Sequence, residues 1–426
     1  MIGFSPHYRV GYLGAVAVAL GIGAALTAQA PIAWADTGGA DSAQGPSAAA
    51  NRTTKPNRLA TKRIAAVVAT QPPAASVLPA RTRRQSGARA PGGLPAPEPT
   101  AQPGLMITRS GQSPFLLGSG STGAAELSGI AYAGGTTYYG VGDNGDRSMW
   151  QIYTSLDTRT GRIRSSEVTG GITAPGMGSD SEGIALAPNG NSVWISDEVA
   201  STISEFNLAT GLKVGSVTVP DIYRPFNVQN NMGLESLTYG LNKLWTGNEE
   251  ALKPDGALST TSAGSWVRIQ EFGGPDLAAG TQYAYRTDPI FRMSPFVNVE
   301  RSGLVDLLAL PNGDMLALER ELGGFLPHYR TRIYLIDFTG ASDVTSVSSL
   351  SSGGFTAVGK TLLWQGNTGF SNFEGITLGP KLSDGSYALL LVSDNGSGAL
   401  GQRQNSFSLT LNGISEPTPA PPPIAV

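Results

Sequence analysis

Residues 179–198 read SDSEGIALAPNGNSVWISDE, and this stretch decides the fold. It opens on a carboxylate and a glycine, Glu182-Gly183, runs through a short apolar strand, and turns at Pro188-Asn189-Gly190. A second strand, Val193-Trp194-Ile195, then leads to a closing pair of acids, Asp197 and Glu198. Asn-Gly supplies the positive φ angles of a tight hairpin turn, so the stretch is a β-hairpin with an acid at each open end.

The same pattern recurs in LSGIAYAGGTTYYGVGDN (127–144), GLESLTYGLNKLWTGNEE (233–250), GLVDLLALPNGDMLALERE (303–321) and FEGITLGPKLSDGSYALLLVSDN (373–395). A strand-rich repeat of roughly 50 to 70 residues is the mark of a propeller or solenoid. Here the expected fold is an all-β propeller of about five to six four-stranded antiparallel blades.

Four groups of four strands are expected, at 129–132, 138–142, 151–156 and 162–168; 184–187, 193–196, 202–208 and 213–219; 236–239, 243–246, 266–272 and 283–287; and 304–310, 315–318, 332–338 and 360–365. A fifth has only three, at 376–378, 387–392 and 406–411. Its missing partner is expected in 106–117, so that the N- and C-terminal strands pair, close the ring and remove exposed edges. The long spacings before the fourth and fifth repeats leave room for a sixth, irregular blade.

Composition agrees with a turn-rich β protein, with 56 glycines, 29 prolines and 14% charged residues. Without cysteine there are no disulfides, thiolate metal sites or cysteine nucleophiles. Residues 1–35 carry Arg9, an apolar run from Gly11 to about Leu26, and Ala33-Trp34-Ala35, which is the pattern of a signal peptide cleaved after Ala35. A secreted or envelope-associated protein is therefore expected. Residues 36–104, rich in Ala, Pro and basic residues, read as a disordered tether that is either drawn to an anionic cell envelope or a plain spacer. A propeller domain over 105–413 and a Pro-rich tail over 414–426 complete the chain. Without signal, tether and tail the folded part keeps 19 basic against 28 acidic residues, which argues against nucleic acid as a partner. A monomer acting on a small molecule is expected.

In a hairpin the first strand's start and the second strand's end share one edge. If each first strand is innermost, the opening acids Glu182, Glu235, Glu374 and, in altered form, Asp306 ring one mouth of a central channel. The closing acids Asp143, Asp197, Glu249, Glu319 and Asp394 join them. Crowded carboxylates repel unless a cation or proton neutralises them, and an oxygen-rich site suits calcium, to which Asn144, Asn248 and Asn395 add carbonyls. The alternative is that these acids and amides only bond their own turns. The expected metal ligands are Glu182, Glu235, Glu374, Asp143 and Glu249. Asp197 or Asp394 is the expected catalytic base. Arg320, like Arg147, either clamps a substrate anion or neutralises neighbouring acids.

Two further motifs are set aside. GFTAVGKT (354–361) spells a phosphate-binding loop, but strand and turn follow it where the mechanism needs a helix. His328 is the only histidine after the signal peptide; no nucleophile elbow accompanies it, and it reads as a loop-packing residue.

LALERELGG followed by YRTRIYLIDF, and WVRIQEF followed by YAYRTDP, together with the repeats, resemble the phytase-like family of exported bacterial proteins, also described by an esterase-like activity of phytase. The resemblance covers nearly all of 105–411. It implies a β-propeller and hydrolysis of esters or phosphate monoesters with calcium. Other members keep an acid where this chain has Val305-Asp306 and Ser128-Gly129, so the ring is not fully symmetric. The competing expectation is a non-catalytic envelope-binding propeller in which calcium is at most structural.

Overall fold

The computed structural model describes residues 104–118, 122–143, 145–292, 301–326 and 328–415. The expected signal peptide, almost all of the tether, and the tail from residue 416 lie outside them, as does Asn144. Among the described residues there is no α-helix, and five antiparallel sheets form the blades of the propeller.

Blade 1 is β3 (Leu127–Gly134), β4 (Thr137–Gly142), β5 (Ser148–Leu156) and β6 (Ile163–Thr173). Blade 2 is β7 (Ser181–Leu186), β8 (Ser192–Asp197), β9 (Thr202–Asn207) and β10 (Lys213–Val217). Blade 3 is β11 (Leu234–Gly240), β12 (Lys243–Asn248), β13 (Trp266–Gly273) and β14 (Ala278–Arg286). Blade 4 is β15 (Arg301–Ala309), β16 (Met315–Gly323), β17 (His328–Asp337) and β18 (Gly359–Gly369). Blade 5 joins β19 (Asn372–Lys381), β20 (Tyr387–Asp394) and β21 (Asn405–Asn412) to β1 (Met106–Arg109), and β2 (Phe115–Leu116) also pairs with β21. The N-terminal strand thus supplies the missing fourth partner, with Met106 opposite Asn412 and Arg109 opposite Leu409.

The first long strands, β3, β7, β11, β15 and β19, touch one another in sequence and back to the start, so they line the central channel. They approach too closely for side chains at certain points. A Cβ on Gly129 would lie 2.4 Å from the Glu182 carbonyl oxygen, and one on Gly375 would lie 2.8 Å from that of Ser128. Each junction between neighbouring blades holds one apolar cluster. Val141 and Met149 meet Ile184 and Phe206 between blades 1 and 2, and Trp194 and Ile203 meet Leu237 and Phe272 between blades 2 and 3. Ile269 and Tyr285 meet Leu307 and Tyr334 between blades 3 and 4, and Val305 and Leu318 meet Phe373 and Phe407 between blades 4 and 5. Leu390 and Val392 close the ring against Leu127 and Ile130. Burying each such side chain contributes roughly 1.5–3 kcal/mol. Stability is therefore spread around the ring.

The room left for a sixth blade is occupied by loops. Residues 249–265 and 338–358 are stapled to the outer strands of blade 3 by a buried ion pair, with Arg268 Nε 2.7 Å from Asp255 Oδ2 and Nη2 2.7 Å from Oδ1. Arg268 also donates to the Val347 carbonyl at 2.8 Å, and Asp255 accepts the Leu350 amide at 2.8 Å. Both partners are about 1% exposed. Arg268→Leu leaves the Asp255 carboxylate buried and unpaired, and should cost on the order of 3–5 kcal/mol in urea unfolding. An unchanged midpoint would show that the loops are held by something else.

Residues 359–369 form a strand, so the phosphate-loop spelling has no helix behind it. Its Lys360 ion-pairs with Glu319 at 2.6 Å and Asp288 at 2.7 Å. His328 packs its ring 5.1 Å from that of Phe291.

Candidate functional site

Every inner strand carries a β-bulge at the same place. The register jumps between Leu127 and Gly129, Ser181 and Ile184, Leu234 and Ser236, Leu304 and Asp306, and Phe373 and Gly375. A bulge leaves one residue outside the ladder and re-aims its side chain. The residues so placed are Ser128, Glu182, Glu235, Val305 and Glu374. Three expected opening acids therefore occupy one equivalent position, and Val305 holds it in blade 4.

Asp306 stands one residue later, where the other strands have Gly or Ser. Its carboxylate accepts the Ile376 amide at 2.8 Å and the Leu307 amide at 2.8 Å, tying β15 to β19. It is a pin between blades and not a member of the mouth, which corrects the expectation placed on it.

The second strands add a further layer. Pairing of Asp143 with Glu126, Glu198 with Asp180, Glu249 with Gly233, Arg320 with Gly303 and Asp394 with Asn372 makes Asp143, Glu198, Glu249, Arg320 and Asp394 equivalent. Successive strand residues face opposite ways, so the preceding residues in each blade point elsewhere. Asp197, one of the two expected bases, stands outside this layer. Its carboxylate accepts the Ala200 amide at 2.7 Å and the Asp180 amide at 3.2 Å, holding the turn. Glu319 is displaced likewise, onto Lys360. The Asn248 side chain donates to the Glu250 carbonyl and accepts the Arg268 amide, and Asn395 accepts the Glu126 amide, so both also brace the backbone of their own surroundings.

Three groups of acids converge at the mouth: Glu126, Asp143 and Asp394; Asp143, Asp180 and Glu182; and Glu182, Glu198 and Glu235. Within each group, one carboxylate oxygen per residue lies within 4.8 Å of the others. Glu126 and Asp180 escaped the sequence reading, although each precedes a bulge position by two residues. Glu198 was visible only as the neighbour of Asp197.

Of the expected ligands, Glu249 and Glu374 are bound internally. Arg320 reaches Glu249 Oε1 at 2.9 Å and Glu374 Oε1 at 3.0 Å, and all three are nearly inaccessible. Burial alone would pull the Arg320 guanidinium down, but Glu249 and Glu374 outweigh it and hold it well above its ordinary value. Arg320 therefore neutralises two of the neighbouring acids, one of the two roles expected of it. Asn372 donates to Glu374 at 2.7 Å and to Asp394 at 3.2 Å.

Among the described residues no ion pair reaches Asp143, Glu182 or Glu235. Burial, followed by Asp394 and Glu374, pushes the Asp143 carboxyl up to about 9. Burial and Asp143 drive Glu182 well above its usual range, and burial and Glu182 do the same to Glu235. Glu374 rises to about 7 through burial and Asp394, in spite of Arg320. Seven carboxylates in the three groups, with the built-in arginine committed elsewhere, need protons or cations to coexist. Hard oxygen donors in that number fit calcium, and Asp143 Oδ1 is buried without a hydrogen-bond partner.

Residues 122–396 match the family described as Phytase-like: Esterase-like activity of phytase. The chain belongs to that family. The match runs from before the first inner strand to just past the last closing acid of this phytase-like propeller. No curated protein matches the chain. Solved structures of similar fold include the Kuenenia stuttgartiensis hydrazine synthase (13% identity, TM-score 0.29, covering 64% of this chain and 58% of that one, less than two thirds of its length). The PQQ domain of pyranose dehydrogenase from Coprinopsis cinerea is another (12% identity, TM-score 0.34, 74% of this chain and 98% of that one). A third is the calcium-binding protein regucalcin from Agrobacterium tumefaciens (11% identity, TM-score 0.30, 73% and 96%).

Proposed function

We propose that this phytase-like propeller is an exported, metal-assisted hydrolase of phosphate monoesters or carboxylic esters, with its site at the acidic channel mouth. The observation that carries this reading is the convergence of seven carboxylates in three groups, with one oxygen per residue within 4.8 Å of the others in each group. Glu182 and Glu235 hold the ion, with Asp143 and the newly placed Glu126, Asp180 and Glu198 beside them. Calcium held by these residues would supply Lewis-acid polarisation of a phosphoryl or carbonyl oxygen and orient water. Asp394 stands at the edge of the set, its carboxylate held by the Gly396 amide at 2.7 Å and the Asn372 side-chain amide at 3.2 Å. Arg320 keeps Glu249 and Glu374 in position.

The test is turnover by the full chain of phytate, simple phosphate monoesters and carboxylic esters, in calcium and in chelator. Calcium-dependent turnover that falls at least about 100-fold in Glu182→Gln is expected, the scale of one lost electrostatic contribution. The second reading is a binding propeller in which calcium only ties the blades together. Arg320 favours it, because its commitment to two acids keeps that guanidinium from a substrate anion. No turnover of any substrate, with calcium still raising the melting temperature, would decide for it.

A further inference from the structure

Resting on that reading, we infer that the mouth takes two divalent cations at once, one at Glu126–Asp143–Asp394 and the other at Glu182–Glu198–Glu235. These two groups have no residue in common, so both sets of ligands are available together. The middle group, Asp143–Asp180–Glu182, borrows one residue from each. Asp143 and Glu182 therefore stand between the two ions, with Asp180 as the ligand that either can share.

A cluster of acids alone would not carry this, but two buried polar side chains point the same way. Ser128 occupies in β3 the bulge position that Glu182, Glu235 and Glu374 hold in their strands; it is 3% exposed, and its Oγ has no hydrogen-bond partner. Asn372, 5% exposed, donates its amide to Glu374 and Asp394 and leaves its Oδ1 unpartnered beside the first group. A buried hydroxyl and a buried carbonyl without partners are costly unless something binds them, and both are oxygen donors that suit a hard cation or its bound water. Blade 4 shows the same logic from the other side. It contributes Arg320 where the other blades contribute an acid, and the two acids that Arg320 reaches, Glu249 and Glu374, are absent from all three groups. The ring thus provides its own counter-charge on one side and is built for external cations on the other.

Equilibrium dialysis of the chelator-stripped full chain against calcium tests this. Two ions per chain are expected for the wild type and one for each of Glu126→Gln and Glu235→Gln. One ion in the wild type, or loss of both in either variant, overturns the inference. Glutamine keeps the shape of glutamate and removes repulsion, and a variant-free measurement stands behind it. With terbium and europium bound together, energy transfer between the lanthanides is expected, and its absence at saturation overturns the two-ion arrangement. Turnover is read separately: one ion with turnover defeats this inference and spares the hydrolase, whereas two ions without turnover do the reverse.

Discussion

Arg320→Met is expected to lose on the order of 3–5 kcal/mol of folding free energy when urea unfolding is followed in chelator, the scale of breaking a buried ion pair on one side. Arg320 is 2% exposed and lies between Glu249 and Glu374, so methionine fills the space and leaves two buried carboxylates facing each other without a cation. Both must then be protonated or unfold. Added calcium should recover part of the loss, because an ion drawn into the mouth offsets the missing charge. A midpoint equal to wild type in chelator would mean that the arginine is not what holds blades 3, 4 and 5 together at the mouth.

The second large effect is the pH dependence of the calcium-free chain, and its sign is unusual. Glu374 is raised from 4.5 to about 7 and Asp143 from 3.8 to about 9. Groups raised in this way bind more protons folded than unfolded, so stability falls as pH rises through that window. The chelated protein should be most stable near the unfolded carboxylate values and lose stability up to about pH 9. Glu374 alone accounts for about 3 kcal/mol of that, complete by a little above pH 7. Calcium should flatten the curve, since the ion replaces the protons. Thermal melts from pH 5 to pH 9 in chelator and in calcium check this. Stability that rises with pH in chelator would show that the mouth's acids are already satisfied.

Much of the fold was legible because its information is local. Asn189-Gly190 marks a hairpin by backbone conformation alone, the alternation of Ile184, Leu186, Val193 and Ile195 marks its buried side, and the hairpin occurs five times. The closing contribution of residues 106–117 followed from counting strands. What was not legible depends on phase. A single extra residue at Glu182 and its equivalents turns the following strand over, and no local preference reveals whether Asp197 or Glu198 faces the channel. The same one-residue slip sent Asp306 to the backbone of β19 and left Val305 at the bulge. Arg320 was ambiguous because its partners, Glu249 and Glu374, come from blades 3 and 5, far apart in sequence. The space assigned to a sixth blade went to loops because Arg268 and Asp255 hold them, an ion pair across 13 residues that no strand pattern reports.

A divalent cation held at the acidic mouth should stabilise the folded chain. The most direct measurement is the melting temperature of the chelator-stripped full chain at pH 8, with and without excess calcium, beside Glu182→Gln treated identically. A ligand that binds only the folded state at 100 times its dissociation constant adds about 2.7 kcal/mol. A clear rise is expected in the wild type, and in Glu182→Gln a higher starting value with a much smaller rise. An equal response of both chains, or no response in the wild type, would contradict it.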